Sequence, residues 1–199
     1  YAADQQNADF FISPWRLGMN REQVIAEKEF GPYKPVQVTG GVETFDAQFD
    51  GKKTNVSFVF DDVGTLSYIQ VWKYEGPDFE PAKQAALDVY DLFSTRFGGL
   101  TIPGIEQNGS TALDRKGFEA MLVSFVGRAP EVLGKEGEKE HIAATLTLDL
   151  IPNSQPSNCR LHSQIVYSTR FKTFAVFLFQ DRIGAPSRTV PANIKLEKL

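Results

Sequence analysis

Few side chains in this sequence combine the type and spacing that catalysis requires. Cys159 and His162 lie three residues apart, and a thiolate beside an imidazole is a nucleophile geometry. If a strand begins near Leu161, however, an offset of three places the two side chains on opposite faces. A zinc site would need both of them, His141 and a carboxylate as a fourth ligand. We therefore predict neither a cysteine nucleophile nor a metal site.

The adjacent carboxylates Asp61 and Asp62 are a second candidate pair, for acid–base chemistry or calcium binding. Neighbouring strand residues point to opposite faces, and Asp-Asp-x-Gly ending at Gly64 is typical of a turn. The sequence contains no Gly-x-Ser-x-Gly, phosphate-binding loop, His-Glu-x-x-His, Cys-x-x-Cys or dinucleotide fingerprint. We predict that the protein is not an enzyme and that it uses no cofactor.

Aromatic side chains are better candidates for a binding role. They make up 12% of the chain, with 16 Phe, and aromatic anchors dominate many protein interfaces. By their spacing Tyr68, Trp72 and Tyr74 share one face of a predicted strand, and Trp15 lies near the start of the chain. Packing in the core is the alternative for all of them. The candidate binding residues are Trp15, Tyr68, Trp72 and Tyr74, with Glu106 and Arg115 as polar groups beside a long loop.

Composition excludes several classes of protein. The 199 residues are 42% hydrophobic and 23% charged, which is typical of a folded globular protein. The net charge of -4 lacks the basic excess that nucleic-acid binding requires. A single cysteine excludes an intrachain disulfide, and no apolar run reaches the ~18 residues of a membrane span. We expect no nucleic-acid partner and no transmembrane segment.

The first residues of the sequence bear on where in the cell the protein is located. Tyr1-Ala-Ala-Asp4 resembles the small-residue end of a secretory signal peptide followed by a polar start. This similarity predicts a periplasmic or otherwise exported protein.

Two segments carry helix signals. Asn20 and Gln23 have the spacing of a capping box, which predicts a helix from Asn20 that ends at Phe30-Gly31-Pro32. A second helix is predicted from Pro81, because apolar residues then recur every three or four positions up to Phe97-Gly98-Gly99. These two helices have similar endings.

Eight segments read as strands, because they are rich in β-branched and aromatic residues. They are 36–39, 42–49, 55–60, 66–74, 119–126, 141–150, 161–169 and 173–180. The strand at 173–180 is apolar on both faces, which predicts a central or covered position, whereas 141–150 alternates and predicts one wet face. The charged segment 127–140 is predicted to be a solvated hairpin tip.

The order of these elements predicts an α+β protein of two similar modules. Each module is a helix packed on a roughly four-stranded antiparallel sheet. The first is assigned to residues 1–76. The second is assigned to residues 77–199, with an irregular loop at 100–117 and an extended tail from Ile183.

Three short motifs resemble a known family. They are Trp15-Arg-Leu-Gly-Met-Asn-Arg-Glu-Gln-Val24, Phe30-Gly31-Pro-Tyr33 and Phe49-Asp-Gly-Lys52. Together they resemble small outer-membrane assembly lipoproteins of the BamE/SmpA type and the related β-lactamase inhibitor protein repeat. The resemblance covers about residues 15–75. It implies a helix-on-sheet module that binds other proteins through its sheet face or loops, and it transfers no catalytic residue.

The sequence therefore favours a non-catalytic, exported protein-interaction or inhibitor-like factor. The alternative is a small-ligand-binding protein or enzyme, with a pocket between the sheet and the loop at 100–117. Glu106, Arg115 and Tyr74 would supply its polar groups.

Overall fold

The computed structural model describes residues 12–37, 39–103, 113–140 and 143–184, with the backbone alone for 136–140. The helices are α1 (Arg21–Ile25), a short 3-10 helix (Lys28–Phe30), α2 (Phe79–Phe97), α3 (Arg115–Phe125) and α4 (Ala129–Glu140). The strands are β1 (Tyr33–Val36), β2 (Gly41–Phe49), β3 (Lys52–Phe60), β4 (Leu66–Gly76), β5 (Leu100–Thr101), β6 (Thr145–Pro152), β7 (Cys159–Ser168) and β8 (Thr173–Arg182). In this part of the chain no helix is long and apolar enough to cross a membrane.

All eight strands belong to one antiparallel sheet, in the order β1-β2-β3-β4-β8-β7-β6-β5. The protein is α+β with an antiparallel sheet, but the predicted fold of two separate four-stranded modules is wrong. The last strand, β8, pairs with both β4 and β7. Its side chains from Phe174 to Gln180 are buried on both faces, which is typical of a strand inside a sheet that is covered on both faces. The predicted central position of this strand is confirmed.

The described residues up to Trp72, together with Gln155–Leu161 and those from Leu178, form one compact unit, which we call unit 1. Its core lies on the face of the sheet that carries Phe58 and the cross-strand neighbours of Phe58, Val42 and Ile69. The predicted capping box is present, because the side chains of Asn20 and Gln23 each accept the other's backbone N–H. Helix α1 is shorter than predicted, since it ends at Ile25 and the 3-10 helix follows.

Lys73–Ser154 and His162–Phe177 form the second compact unit, unit 2. Helix α2 buries an apolar stripe that includes Ala86, Val89 and Phe93, at helical spacing. Phe79 of this helix contacts Phe174 of β8, with ring centroids 5.6 Å apart. Helix α2 therefore packs on the face of the sheet that carries Phe174.

Two secondary-structure predictions in unit 2 were wrong. The segment 119–126 is not a strand but most of helix α3, in which Phe118 and Leu122 are buried one turn apart and Asp114 caps the N-terminus. The segment 127–140 is not a hairpin tip but includes helix α4. The first error arose because a short amphipathic helix and a short strand both place apolar residues on one side. The second arose because the charges and glycines of 127–140 are also typical of a solvated turn.

Part of the predicted loop at 100–117 is regular structure, since β5 begins at Leu100 and α3 begins at Arg115. Its centre, residues 104–112, lies outside the described residues, as does the predicted tail from residue 185 onwards. The strand predictions for 42–49, 55–60, 66–74, 161–169 and 173–180 are confirmed within a few residues at their ends.

Candidate interaction site

Trp15 is a core residue of unit 1. Its side chain is 0% exposed, and its ring lies 4.8 Å from that of Phe58 and 5.1 Å from that of Phe30, between centroids. The indole N–H donates to the carbonyl of Val24 at 3.4 Å. Trp15 therefore joins α1 and the 3-10 helix to the sheet.

Tyr68 and Trp72 share the opposite face of β4, as their spacing predicts. Each is 8% exposed, and the ring of Tyr68 lies 5.5 Å from that of Phe179 in the neighbouring strand. Burial raises the pKa of the Tyr68 hydroxyl well above its ordinary value, and the nearby Asp181 raises it further. Burial also raises the pKa of the Asp181 carboxyl to about 6, against the opposing effect of Arg160. Neither ring presents an exposed anchor.

Tyr74, Arg115 and Glu106 complete the predicted set. The hydroxyl of Tyr74 accepts the backbone N–H of Asp78 at 3.2 Å, at the start of α2. Arg115 pairs with Asp91 at 2.9 Å and so links α3 to α2. Glu106 lies outside the described residues. Trp15 and the pair Tyr68 and Trp72 occupy opposite faces of the sheet, so the structure does not bring the predicted residues together into one site.

The described residues considered for catalysis or metal binding are not arranged as a reactive site. Cys159 is buried at the start of β7, and an offset of three along this strand places the His162 side chain on the other face. Asp61 accepts the backbone N–H groups of Val63 and Thr65, as the turn prediction requires, and pairs with Arg182 at 2.7 Å. Among the described residues, no cluster of three or more His, Cys, Asp or Glu side chains is arranged to hold a metal ion.

The feature that stands out in unit 2 is one edge of strand β6. Along one side, β6 pairs with β7 in regular register from Thr145 to Leu150. Along the opposite side of β6, strand β5 pairs only with Ile151 and Pro152. Among the strands in the described part of the chain, Thr145–Leu150 therefore has a neighbour on one side only. We call the backbone edge of Thr145–Asp149 the β6 edge.

Hydrogen bonds show which backbone groups point outward along the β6 edge. The carbonyl of Ala144 accepts the N–H of Thr169, beyond the end of β7, so the backbone of Ala144 faces that strand. Strand residues alternate in direction, so Thr145, Thr147 and Asp149 direct their N–H and C=O groups to the opposite side. Asn153 confirms this phase, because its N–H donates to Gly99, just before β5.

Side chains along β6 differ in exposure between the two faces of the strand. Thr145 and Thr147 are exposed and Asp149 is half-buried, with its Oδ1 accepting a hydrogen bond from the Gln164 amide at 2.8 Å. On the other face Leu146 and Leu148 are half-buried, whereas Leu150 is fully buried. The predicted wet face of this strand is confirmed, but no local signal in the sequence marks it as lying near the edge of the sheet.

The other edge of the sheet, in unit 1, is protected in the usual ways. Strand β1 has four residues, including Lys34 and Pro35, and the adjacent β2 has a bulge between Thr44 and Ala47. Thr145–Asp149 contains no proline or positively charged residue, and its register is regular. Three features that often prevent strand pairing, namely a proline, a lysine or arginine and a bulge, are thus absent from the β6 edge.

Comparison with known proteins found no match to a family model, a curated protein or a solved structure. The resemblance to BamE/SmpA-type lipoproteins and the β-lactamase inhibitor protein repeat stays a prediction from residues 15–75.

Proposed function

We propose that this protein is a non-catalytic protein-interaction factor that binds an extended segment of another polypeptide by strand addition at the β6 edge. The supporting observation is the row of outward N–H and C=O groups on Thr145, Thr147 and Asp149. Within the described residues, none of these groups has a hydrogen-bond partner. Unpaired strand edges are templates for pairing with another chain, a common mode of peptide recognition.

The side chains around the edge suggest which segments fit. In an added strand, residues on the face of Leu146 and Leu148 would cover two half-buried leucines and are expected to be apolar. Residues on the other face would lie beside Thr147 and the carboxylate of Asp149, where a hydroxyl or a positive charge is favourable. We therefore expect a preference for segments that alternate apolar residues with Thr, Ser or Lys.

A displayed library of random peptides, selected on the intact protein, tests this proposal. Peptides with the alternating pattern are expected to be enriched and to bind in a concentration-dependent way. Thr147→Pro removes one outward N–H without touching the bonds to β7, because proline is tolerated where the missing donor faces away from the sheet. Loss of one hydrogen bond is expected to weaken peptide binding at least about fivefold.

Thr147→Val is the matched control, since it retains the backbone donor and a β-branched side chain. It is expected to bind the selected peptides like the unmodified protein. Failure to enrich any alternating peptide, or equal binding by the proline and valine variants, would contradict strand addition at this edge. Circular dichroism and thermal unfolding of both variants check that the fold is retained.

Two predictions from the sequence remain open beside this proposal. The ligand-pocket alternative depends partly on Glu106, which lies outside the described residues. Export likewise stays a prediction, and fractionation of producing cells would test it.

A further inference from the structure

The β6 edge is self-complementary. Its three outward-facing residues, Thr145, Thr147 and Asp149, are spaced by two and centred on Thr147. When two antiparallel strands meet with Thr147 opposite Thr147, Thr145 of each copy lies opposite Asp149 of the other. Every outward residue then faces another outward residue, so the N–H and C=O groups of all three can be exchanged between the copies.

On this basis we propose that the segment bound at the β6 edge is β6 of a second copy of this chain, with a two-fold axis at Thr147. This inference rests on the proposed function and names its partner. A two-fold, isologous contact of this kind closes on itself and gives a dimer.

Side chains in this register support the pairing on the face that carries Thr147. Thr147 would lie opposite itself, and threonine pairs are favourable across antiparallel strands. Asp149 would lie opposite Thr145, a hydroxyl donor, so the two carboxylates of the dimer do not oppose each other. The amide of Gln164 already holds the Asp149 carboxylate in place, through a 2.8 Å hydrogen bond to Oδ1.

The opposite face adds an apolar contribution. Leu146 of one copy would lie opposite Leu148 of the other, and each is half-buried in a single chain. Pairing the strands would remove further apolar surface of both leucines from water, which favours association.

Strand β5 does not fill this register within residues 12–37, 39–103, 113–140 and 143–184. It ends at Thr101, opposite Ile151, and therefore does not occupy the positions opposite Thr145–Asp149. A contact centred on one pair of strands is smaller than a standard interface, so the dimer is expected to be weak and concentration-dependent.

Sedimentation velocity over a concentration series, together with charge substitutions at Thr147, tests the inference. Only a pairing centred on Thr147 places this residue opposite itself. Thr147→Lys alone and Thr147→Glu alone are therefore each expected to remain monomeric, because like charges meet across the axis. An equal mixture of the two variants is expected to regain a dimer that contains one copy of each.

Gln48 provides the matched control, because it is an exposed strand residue in unit 1. Gln48→Lys and Gln48→Glu are expected to dimerise like the unmodified chain. Thr147→Pro removes two hydrogen bonds per dimer, one from each copy, and is expected to weaken dimerisation about 30-fold. This variant keeps the test decisive if a charged variant does not fold.

A monomer at every concentration overturns the inference, and so does a dimer that persists in both charged variants. These results are distinct from failure of the proposed function. A chain that stays monomeric but binds alternating peptides, and loses them on Thr147→Pro, retains strand addition with a foreign partner and excludes the second copy.

Discussion

Asp181 of β8 gives a prediction about pH-dependent stability. This carboxyl is half-buried in unit 1, and burial raises its pKa to about 6 from an ordinary 3.8, in spite of the positive charge of Arg160. The Tyr68 hydroxyl nearby has its own pKa raised, so it stays neutral at the pH values considered. Replacing Asp181 with Asn keeps the shape of the side chain and removes its charge.

The sign follows from proton binding in the two states. Between pH 3.8 and about 6, the folded protein keeps a proton on Asp181 that the unfolded chain has released. The free energy of unfolding therefore falls as the pH rises through this range. The difference between the two pKa values corresponds to about 3 kcal/mol in the free energy of unfolding, at 1.36 kcal/mol per pH unit. Because the side chain retains contact with water, we expect about half of this, roughly 1.5 kcal/mol.

Urea unfolding at pH 4 and at pH 8 measures the effect. Asp181→Asn is expected to raise the free energy of unfolding by roughly 1.5 kcal/mol at pH 8 and to leave it nearly unchanged at pH 4. Comparing the variant with the unmodified chain at the same pH cancels the contributions of the other titrating groups. Asp62→Asn, at an exposed position, controls for the loss of one negative charge.

Two results would refute this reasoning. A variant less stable than the unmodified chain at pH 8 would mean that the Asp181 charge is favourable, with Arg160 outweighing burial. A stability difference of the same size at both pH values would mean that the effect does not come from ionisation.

The remaining predictions concern the stability of the fold. Trp15→Ala is expected to lower the free energy of unfolding by about 3–5 kcal/mol, because Trp15 is fully buried, whereas Trp15→Phe should cost less; urea titration separates them. Gly41→Ala is expected to destabilise by at least about 2 kcal/mol, since a Cβ there would overlap the backbone carbonyl of Phe58. Gly134→Ala, in helix α4 with open space around it, is expected to stabilise by about 0.5–1 kcal/mol, and thermal unfolding of the two glycine variants compares them directly. Asn20→Ala removes one half of the capping box and is expected to cost about 1 kcal/mol; a fall in melting temperature smaller than that of Gly41→Ala would agree.

Local signals in the sequence were enough to predict most of the helices, strands and turns. The capping box at Asn20, the apolar stripe of α2 and the turn at Asp61 each depend on residues close together in the chain, and each is present as predicted. The alternating pattern that gave β6 one wet face is also local. Helix α3 was missed because its apolar spacing fits either type of element, and helix α4 because its charges and glycines are also typical of a solvated turn.

Strand order was decided only by tertiary structure. The apolar faces of β8 indicated a central or covered strand, but they did not indicate which strands lie beside it. Pairing with both β4 and β7 makes one sheet from what the order of elements suggested were two. Pairing partners depend on contacts between residues distant in sequence, which local periodicity does not encode.

In the candidate site, too, the sequence determined some features and the tertiary structure determined others. Residue type and spacing correctly placed Tyr68 and Trp72 on one face of β4, yet which face is covered depends on the rest of the fold, and both rings are buried. For Thr145, Thr147 and Asp149, the sequence determined the alternation and hence which side chains are wet. Only the arrangement of β5, β6 and β7 decided that their backbone groups have no neighbouring strand among the described residues, because hydrogen bonding across a sheet depends on both strands of a pair.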